Sequence, residues 1–188
     1  MRLDFDSTSA AEISRAEMRG REDAWSMFSL WKNRLTEFSD AHFVTSGPTV
    51  GARESRIITG EYTLTADDIA RTRPFTDAIA KGSWFMDHHR SGETGYHEHT
   101  IVKAYDIPYR TLLPKNAENM LVAGRCHSAT PDALASSRVN LTAMAMGQAA
   151  GVAAAIAVRD ATPPYEMDMT RLQTTLLQQG QILGNMSI

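Results

Sequence analysis

Apolar residues fall into helical stripes near both ends of the chain and into short extended runs between them. Over residues 9–38, Trp25, Phe28, Leu30, Trp31 and Leu35 form a stripe in the second half, which predicts a helix. Ser9, with Glu12 three residues on, reads as a capping box at its start, and the charged first half reads as solvated. The runs 42–45 and 56–59 have strand composition, with the turn Ser46-Gly47-Pro48 between them. Thr65 followed by Asp67 and Asp68 predicts a capped short helix ending near Thr72. Residues 76–90 predict a short helix and then an extended piece, Ser83 to Met86, and His97 to Tyr105 alternates as a strand.

The C-terminal third carries the plainest pattern. Residues 119–124, Asn-Met-Leu-Val-Ala-Gly, read as a buried strand stopped by glycine. Residues 125–135 read as a loop containing Pro131, residues 136–159 as a long helix, and residues 169–183 as a last amphipathic helix beyond Pro163-Pro164. The stretch Leu141 to Val158 is apolar enough to need a membrane check. Alanine and glycine dominate it, whereas a span needs about 20 strongly apolar residues, so it reads as a buried helix.

Composition narrows the class of protein. A length of 188 residues allows one domain or one and a half, with a real core. A net charge of −3 with no basic stripe argues against nucleic acid. A single cysteine, Cys126, excludes an internal disulfide and a multi-cysteine zinc site, and fits a reducing, cytoplasmic setting. Cys126 itself reads as a small buried side chain, since no second thiol is present to resolve it. The first residues lack the apolar run of a secretory signal.

Strand, glycine, helix is how α/β proteins set a helix N-terminus beside a ligand. Ala143, Gly147, Gly151 and Ala155 recur every four residues and share one helix face. Glycine inside a helix costs about 1 kcal/mol against alanine. Such a face suits close approach, either of another backbone or of a flat cofactor. Asp87-His88-His89 offers a general base in His88 and matches part of a metal-phosphoesterase motif, but the further ligands of that motif are missing from the sequence. His97 and His99 place two imidazoles on one strand face, which reads as a solvated face and not a metal site.

Three blocks, in order, carry a resemblance. They are Val50-Gly51-Ala52-Arg53-Glu54-Ser55-Arg56 with Gly60-Glu61-Tyr62; Asp77-Ala78-Ile79-Ala80 leading to Trp84 and Asp87-His88; and residues 105–157, with Ala-Gly-Arg-Cys-His-Ser-Ala-Thr, Arg-Val-Asn and Met-Gly-Gln-Ala-Ala-Gly. Together they resemble the C-terminal part of FAD-dependent oxidoreductases with a glutathione-reductase-type FAD domain. The resemblance implies that Gly124 and Arg125 lie along the ribityl-pyrophosphate part of FAD. It sets Arg138, Val139 and Asn140, with Ser137, at the pyrimidine edge of the flavin, where helix amides and a guanidinium would stabilise the charge of the reduced ring. Arg125 and Arg138 also admit a purely structural ion-pair or capping role. Arg53, Arg56 and His88 become the catalytic candidates, the arginines holding an anionic or hydroxylated substrate, although an arginine–glutamate network through Glu54 is equally open.

The expected fold class is α/β, a mixed α+β fragment. Helices and an antiparallel sheet of a partial substrate-binding or cap region (1–110) precede the C-terminal strand and long helix of an FAD/NAD(P)-binding-like domain (111–160), and a C-terminal helix (161–188) closes the chain. A Gly-x-Gly-x-x-Gly loop, which opens such FAD domains, is missing from the sequence. The chain therefore reads as lacking the N-terminal half of the enzyme. The expected activity is hydride transfer from a small organic substrate to flavin. The alternative is a non-catalytic fragment or subunit that self-associates or docks to a separate N-terminal, nucleotide-binding subunit. Expected partners are FAD and a small-molecule substrate, with neither nucleic acid nor membrane.

Overall fold

The structure, a computed structural model, describes residues 5–87 and 99–183. Five α-helices and four short strands occur among them, so the mixed α/β class expected from the sequence holds. The described residues divide into two compact units, residues 5–56, and residues 57–87 with 99–183.

The first unit is built on α1 (Ala10–Arg34). Ser9 caps it as anticipated, accepting from the Glu12 amide at 3.4 Å. The box does not close: the Glu12 carboxylate accepts from the Asp6 amide at 2.6 Å, while the Ser9 amide donates to the Asp6 carbonyl. The charged half of α1 carries helical ion pairs such as Arg21–Glu17 and Arg19–Asp23. Only Ala16 is buried along the helix, and Trp25, Leu30 and Trp31 stay largely exposed. Residues 42–45 are extended without a ladder partner among the described residues, so the strand expected there does not form. Phe43 instead packs its ring at 5.6 Å from Trp25 and 5.5 Å from Phe28.

The second unit holds the core. Strand β1 (Ala78–Gly82) pairs antiparallel with β4 (Tyr105–Pro108), and β2 (Met86–Asp87) pairs with β3 (His99–Thr100). The helix expected from about residue 76 is therefore strand. Its alanines suit a helix by propensity, but tertiary packing decides, because Gly82 lies against the Tyr105 ring with no room for a Cβ. Along β1, the Gln173 amide donates to Thr76 and Ala78 carbonyls, and Gln181 donates to Ile79. These bonds satisfy backbone groups at a sheet edge that would otherwise be left open.

Around this sheet, α4 (Asn140–Asp160) and α5 (Met169–Gln178) bury Met146, Ala149, Ala153, Leu172 and Leu176 with Ile79 and Ile107. Helix α2 (Ala66–Ala70) carries the full Thr65–Asp68 capping box and adds Ile69. Residues 57–64 thread between two loops. Ile58 donates to Cys126, Glu61 to Leu113, and Leu64 to Ser128, but only isolated bridges result, so the strand expected at 56–59 is likewise not formed.

Two corrections concern the C-terminal third. Residues 119–123 are not a strand: no described strand flanks them, Met120 is half exposed, and the Val122 amide turns instead to the Leu112 carbonyl. An apolar run becomes a buried strand only when ladder partners lie beside it. The long helix expected at 136–159 forms as α4 but begins only at Asn140, and a separate helix, α3 (Pro131–Ser137), precedes it across a break at Arg138–Val139. Pro131 starts α3, capped by Thr130, and is not part of a loop.

Candidate functional site

The break between α3 and α4 is the most chemically distinctive place in the second unit. Helices α1, α2, α3 and α5 are each capped by a side chain, from Ser9, Thr65, Thr130 and Asp168. Helix α4 starts at Val139, which offers no side-chain acceptor. Its first-turn amides therefore lack the partner that a polar cap supplies, at a cost of about 1 kcal/mol. A local rule broken in this way is expected at functional positions.

Arg138 sits in the break. Its guanidinium donates from Nη2 to Asp87 Oδ2 at 3.2 Å, and the two side chains are 19% and 14% exposed. Arg138 Nε is buried without a hydrogen-bond partner among the described residues. One positive charge, one orphan donor and a row of uncapped amides thus share a single helix junction.

The 3₁₀ turn Gly124–Cys126 adjoins the start of α4. Gly124 has φ +81°, a conformation that disfavours other residues, although a Cβ there would meet Ala143 at an ordinary 3.8 Å. Backbone bonds brace the turn: His127 donates to Gly124 at 3.0 Å, and Ser128 donates to Thr111 at 2.9 Å. Arg125 and Cys126 are exposed. That corrects the reading of Cys126 as a buried side chain: the 3₁₀ turn points it outward, where a core strand would have enclosed it.

Beneath the junction, His127 Nε2 lies 2.8 Å from Ser137 Oγ, and both residues are fully buried. Burial depresses the imidazole to about 4, so it is neutral near pH 7. The pair joins the Gly124–Cys126 turn to the last residue of α3. Beside it, Tyr105 Oη meets Ser136 Oγ at 2.7 Å, and Ser136 donates to the Trp84 carbonyl. The segment 84–87 is therefore fastened along residues 136–138 at both of its ends.

Gly124, Arg125, Ser137, Arg138, Val139 and Asn140 thus gather around one junction. The Ser137 side chain faces inward to His127, so only its backbone borders the break. Arg53 and Arg56 belong to the first unit. Arg53 is half-buried. Arg56 is exposed, and its charge assists the Thr8 hydrogen bonds that hold the Asp6 carboxyl below its ordinary value. His88, His89, His97 and Glu98 lie outside the described residues. Sequence reasoning missed Asp87 and His127 as supports of the site. Asp87 had one usable signal, its place in the Trp84-to-His88 block.

A cleft of about 460 Å³ lies elsewhere in the second unit, lined by residues including Glu61, Arg110, Lys115 and Tyr165; none of the candidate residues borders it. Arg110 is held there by Asp77 through bonds of 2.9 and 3.2 Å.

The model of the FAD dependent oxidoreductase family matches residues 1–176. The chain belongs to the FAD-dependent oxidoreductases. Neither the curated proteins nor the solved structures contain a match. Membership makes FAD the cofactor and oxidation–reduction the class of chemistry, with a small molecule as substrate. The junction residues fit such a group. FAD is anionic at its pyrophosphate and rich in acceptors along its pyrimidine edge, and the break offers the complementary donors: uncapped amides, the Arg138 guanidinium and its orphan Nε.

Proposed function

We propose that this oxidoreductase holds FAD at the α3–α4 junction and removes hydride from a small organic substrate. The observation that carries the reading is Arg138: a cation whose buried Nε has no hydrogen-bond partner among the described residues, at the start of the one described α-helix without a side-chain cap. In this reading the amides of Asn140 and the residues after it, with Arg138, hold the pyrimidine edge. Gly124 and Arg125 lie along the ribityl-pyrophosphate, and Ser137 sets the end of α3 through His127. Bound FAD supplies the two-electron acceptor chemistry. The chain's part is to place donors where negative charge grows on reduction, which favours the reduced cofactor. Arg53, Arg56 and His88 are proposed to orient the substrate and take up its proton. The domain division at about residues 110 and 160, a glutathione-reductase-type FAD domain and a cytoplasmic setting belong to the same proposal.

The test is a visible titration of the purified chain with FAD. Bound oxidised flavin shows bands near ~370 and ~450 nm, and equilibrium dialysis counts the sites. Saturable binding of one FAD per chain supports the reading. A chain that takes up no FAD refutes it.

A second reading, that the chain acts by docking to a copy of itself or to a separate nucleotide-binding subunit, is favoured by the outer face of α4. Leu141, Met144 and Val158 are 80%, 69% and 83% exposed. A Cβ placed on Gly147 or Gly151 would meet open space. By length and composition α4 would also be enough to cross a membrane, but its other face packs into the core. Sedimentation of the chain at several concentrations tests this reading, with reversible association as the expected outcome.

A further inference from the structure

Asp87 is the nearest feature of the junction that the proposed cofactor site does not use. It comes from β2, 51 residues away in sequence, and its carboxylate accepts from Arg138 Nη2 at 3.2 Å. Both side chains are mostly buried, at 19% and 14% exposure, so solvent screens the pair only weakly. The contact is not a chance of surface packing. Segment 84–87 is also fixed at its other end, where Ser136 donates to the Trp84 carbonyl, and Tyr105 buttresses Ser136 at 2.7 Å. The segment is thus attached at both ends, which keeps the Asp87 carboxylate against the Arg138 guanidinium.

We infer that Asp87 is a positioning residue that sets the reduction potential of the flavin by partly neutralising Arg138. The inference rests on the reading that Arg138 lies at the flavin. A guanidinium alone would present a full positive charge to the ring and stabilise its reduced, more negative form. Paired with Asp87, it presents a dipole, which falls off faster with distance. Asp87 therefore lowers the potential below what Arg138 alone would give, and it orients the fork so that Nε and the remaining N–H groups are left for the ligand. A moderated potential suits an enzyme that must hand its electrons on after taking them from the substrate.

The experiment uses the full chain loaded with FAD. Midpoint potentials are measured by equilibration with reference dyes for the wild type, Asp87→Asn, Asp87→Glu and Arg138→Gln, with FAD affinity for each. Asp87→Asn is expected to favour reduced over oxidised flavin by about tenfold, a rise of about 30 mV for a two-electron couple. Asp87→Glu, which keeps the charge, is expected to stay near the wild type. Arg138→Gln is expected to shift the ratio about tenfold the other way and to weaken FAD binding. If Arg138→Gln lowers the potential but Asp87→Asn does not raise it, the inference fails and the cofactor site stands. If Arg138→Gln changes neither potential nor affinity, or the chain takes up no FAD, the cofactor site itself fails and the inference with it. If Asp87→Asn does not fold while Asp87→Glu does, the pair is structural, and the inference is overturned.

Discussion

His127 should make the fold lose stability in mild acid, in a pH range above that of the carboxylates. The ring is fully buried, its Nε2 bonded to Ser137, and desolvation depresses it from 6.5 to about 4. Above about pH 6.5 the imidazole is neutral in both folded and unfolded chains, and it adds no pH dependence. As pH falls below 6.5, the unfolded chain takes up the proton and the folded chain does not. Stability is therefore lost progressively until about pH 4, where the folded state titrates too. The full difference corresponds to roughly 3 kcal/mol, and about 2 kcal/mol of it is already gone by pH 5. Burial would raise the Asp68 carboxyl, but hydrogen bonds from Thr65 and Tyr62 outweigh it and hold Asp68 below its ordinary value, so its contribution fades only at lower pH. Urea unfolding followed by circular dichroism at pH 7.5, 6, 5 and 4.5 measures the loss. The non-titrating variant His127→Gln should be less stable than the wild type at pH 7.5, with the gap closing by about 2 kcal/mol at pH 5. Parallel pH curves for the two proteins would refute the reasoning.

Other predictions follow from single contacts. Lys81 Nζ lies 2.5 Å from Asp106 Oδ1 with both side chains about nine-tenths buried, so Lys81→Met should cost about 3 kcal/mol in urea unfolding by stranding a buried carboxylate. Gly82→Ala would press a methyl group into the Tyr105 ring and should cost about 2–3 kcal/mol, lowering the thermal midpoint. Gly124→Ala, at φ +81°, should cost only about 1 kcal/mol in stability but should weaken FAD binding; unchanged affinity would remove the turn from the proposed site. Cys126 is exposed and should react with a disulfide reagent without denaturant, more slowly once FAD is bound, and equal rates would argue against FAD at this turn.

What the sequence made legible was local. Ser9 and Thr65 cap their helices because a side chain needs to reach only three residues along, and that reach is written in the spacing. What it hid depended on partners distant in sequence. Residues 119–123 have the composition of a strand, but a strand is completed by its neighbours, and the Val122 amide goes to the Leu112 carbonyl instead of to a ladder. Ala78–Gly82 looks helical by propensity and is held extended by Tyr105 across the ladder. Pro131 read as part of a loop and proved to be a helix start, because its missing amide is harmless at that position.

The candidate site followed the same division. Gly124, Arg125 and Arg138–Asn140 could be named from the order of residues in the three blocks, and the fold gathers them at one junction. The supports could not be named. Asp87 reaches Arg138 across 51 residues, and His127 reaches Ser137 by crossing from one segment to another. Pairs of this kind are set by packing, and no periodicity records them. The start of α4 was legible only approximately: residues 136–159 read as one helix with Arg138–Asn140 at its beginning, but the separate helix α3 before it, and so the break at Arg138–Val139, was not read.

The most direct test of the central claim is a crystal structure of the chain with FAD bound. The pyrimidine edge of the flavin is expected within hydrogen-bonding distance, about 2.7–3.2 Å, of Arg138 or of the first amides of α4. The pyrophosphate should run toward Gly124 and Arg125. A flavin seated away from the α3–α4 junction, for example in the cleft beside Arg110 and Lys115, would contradict it.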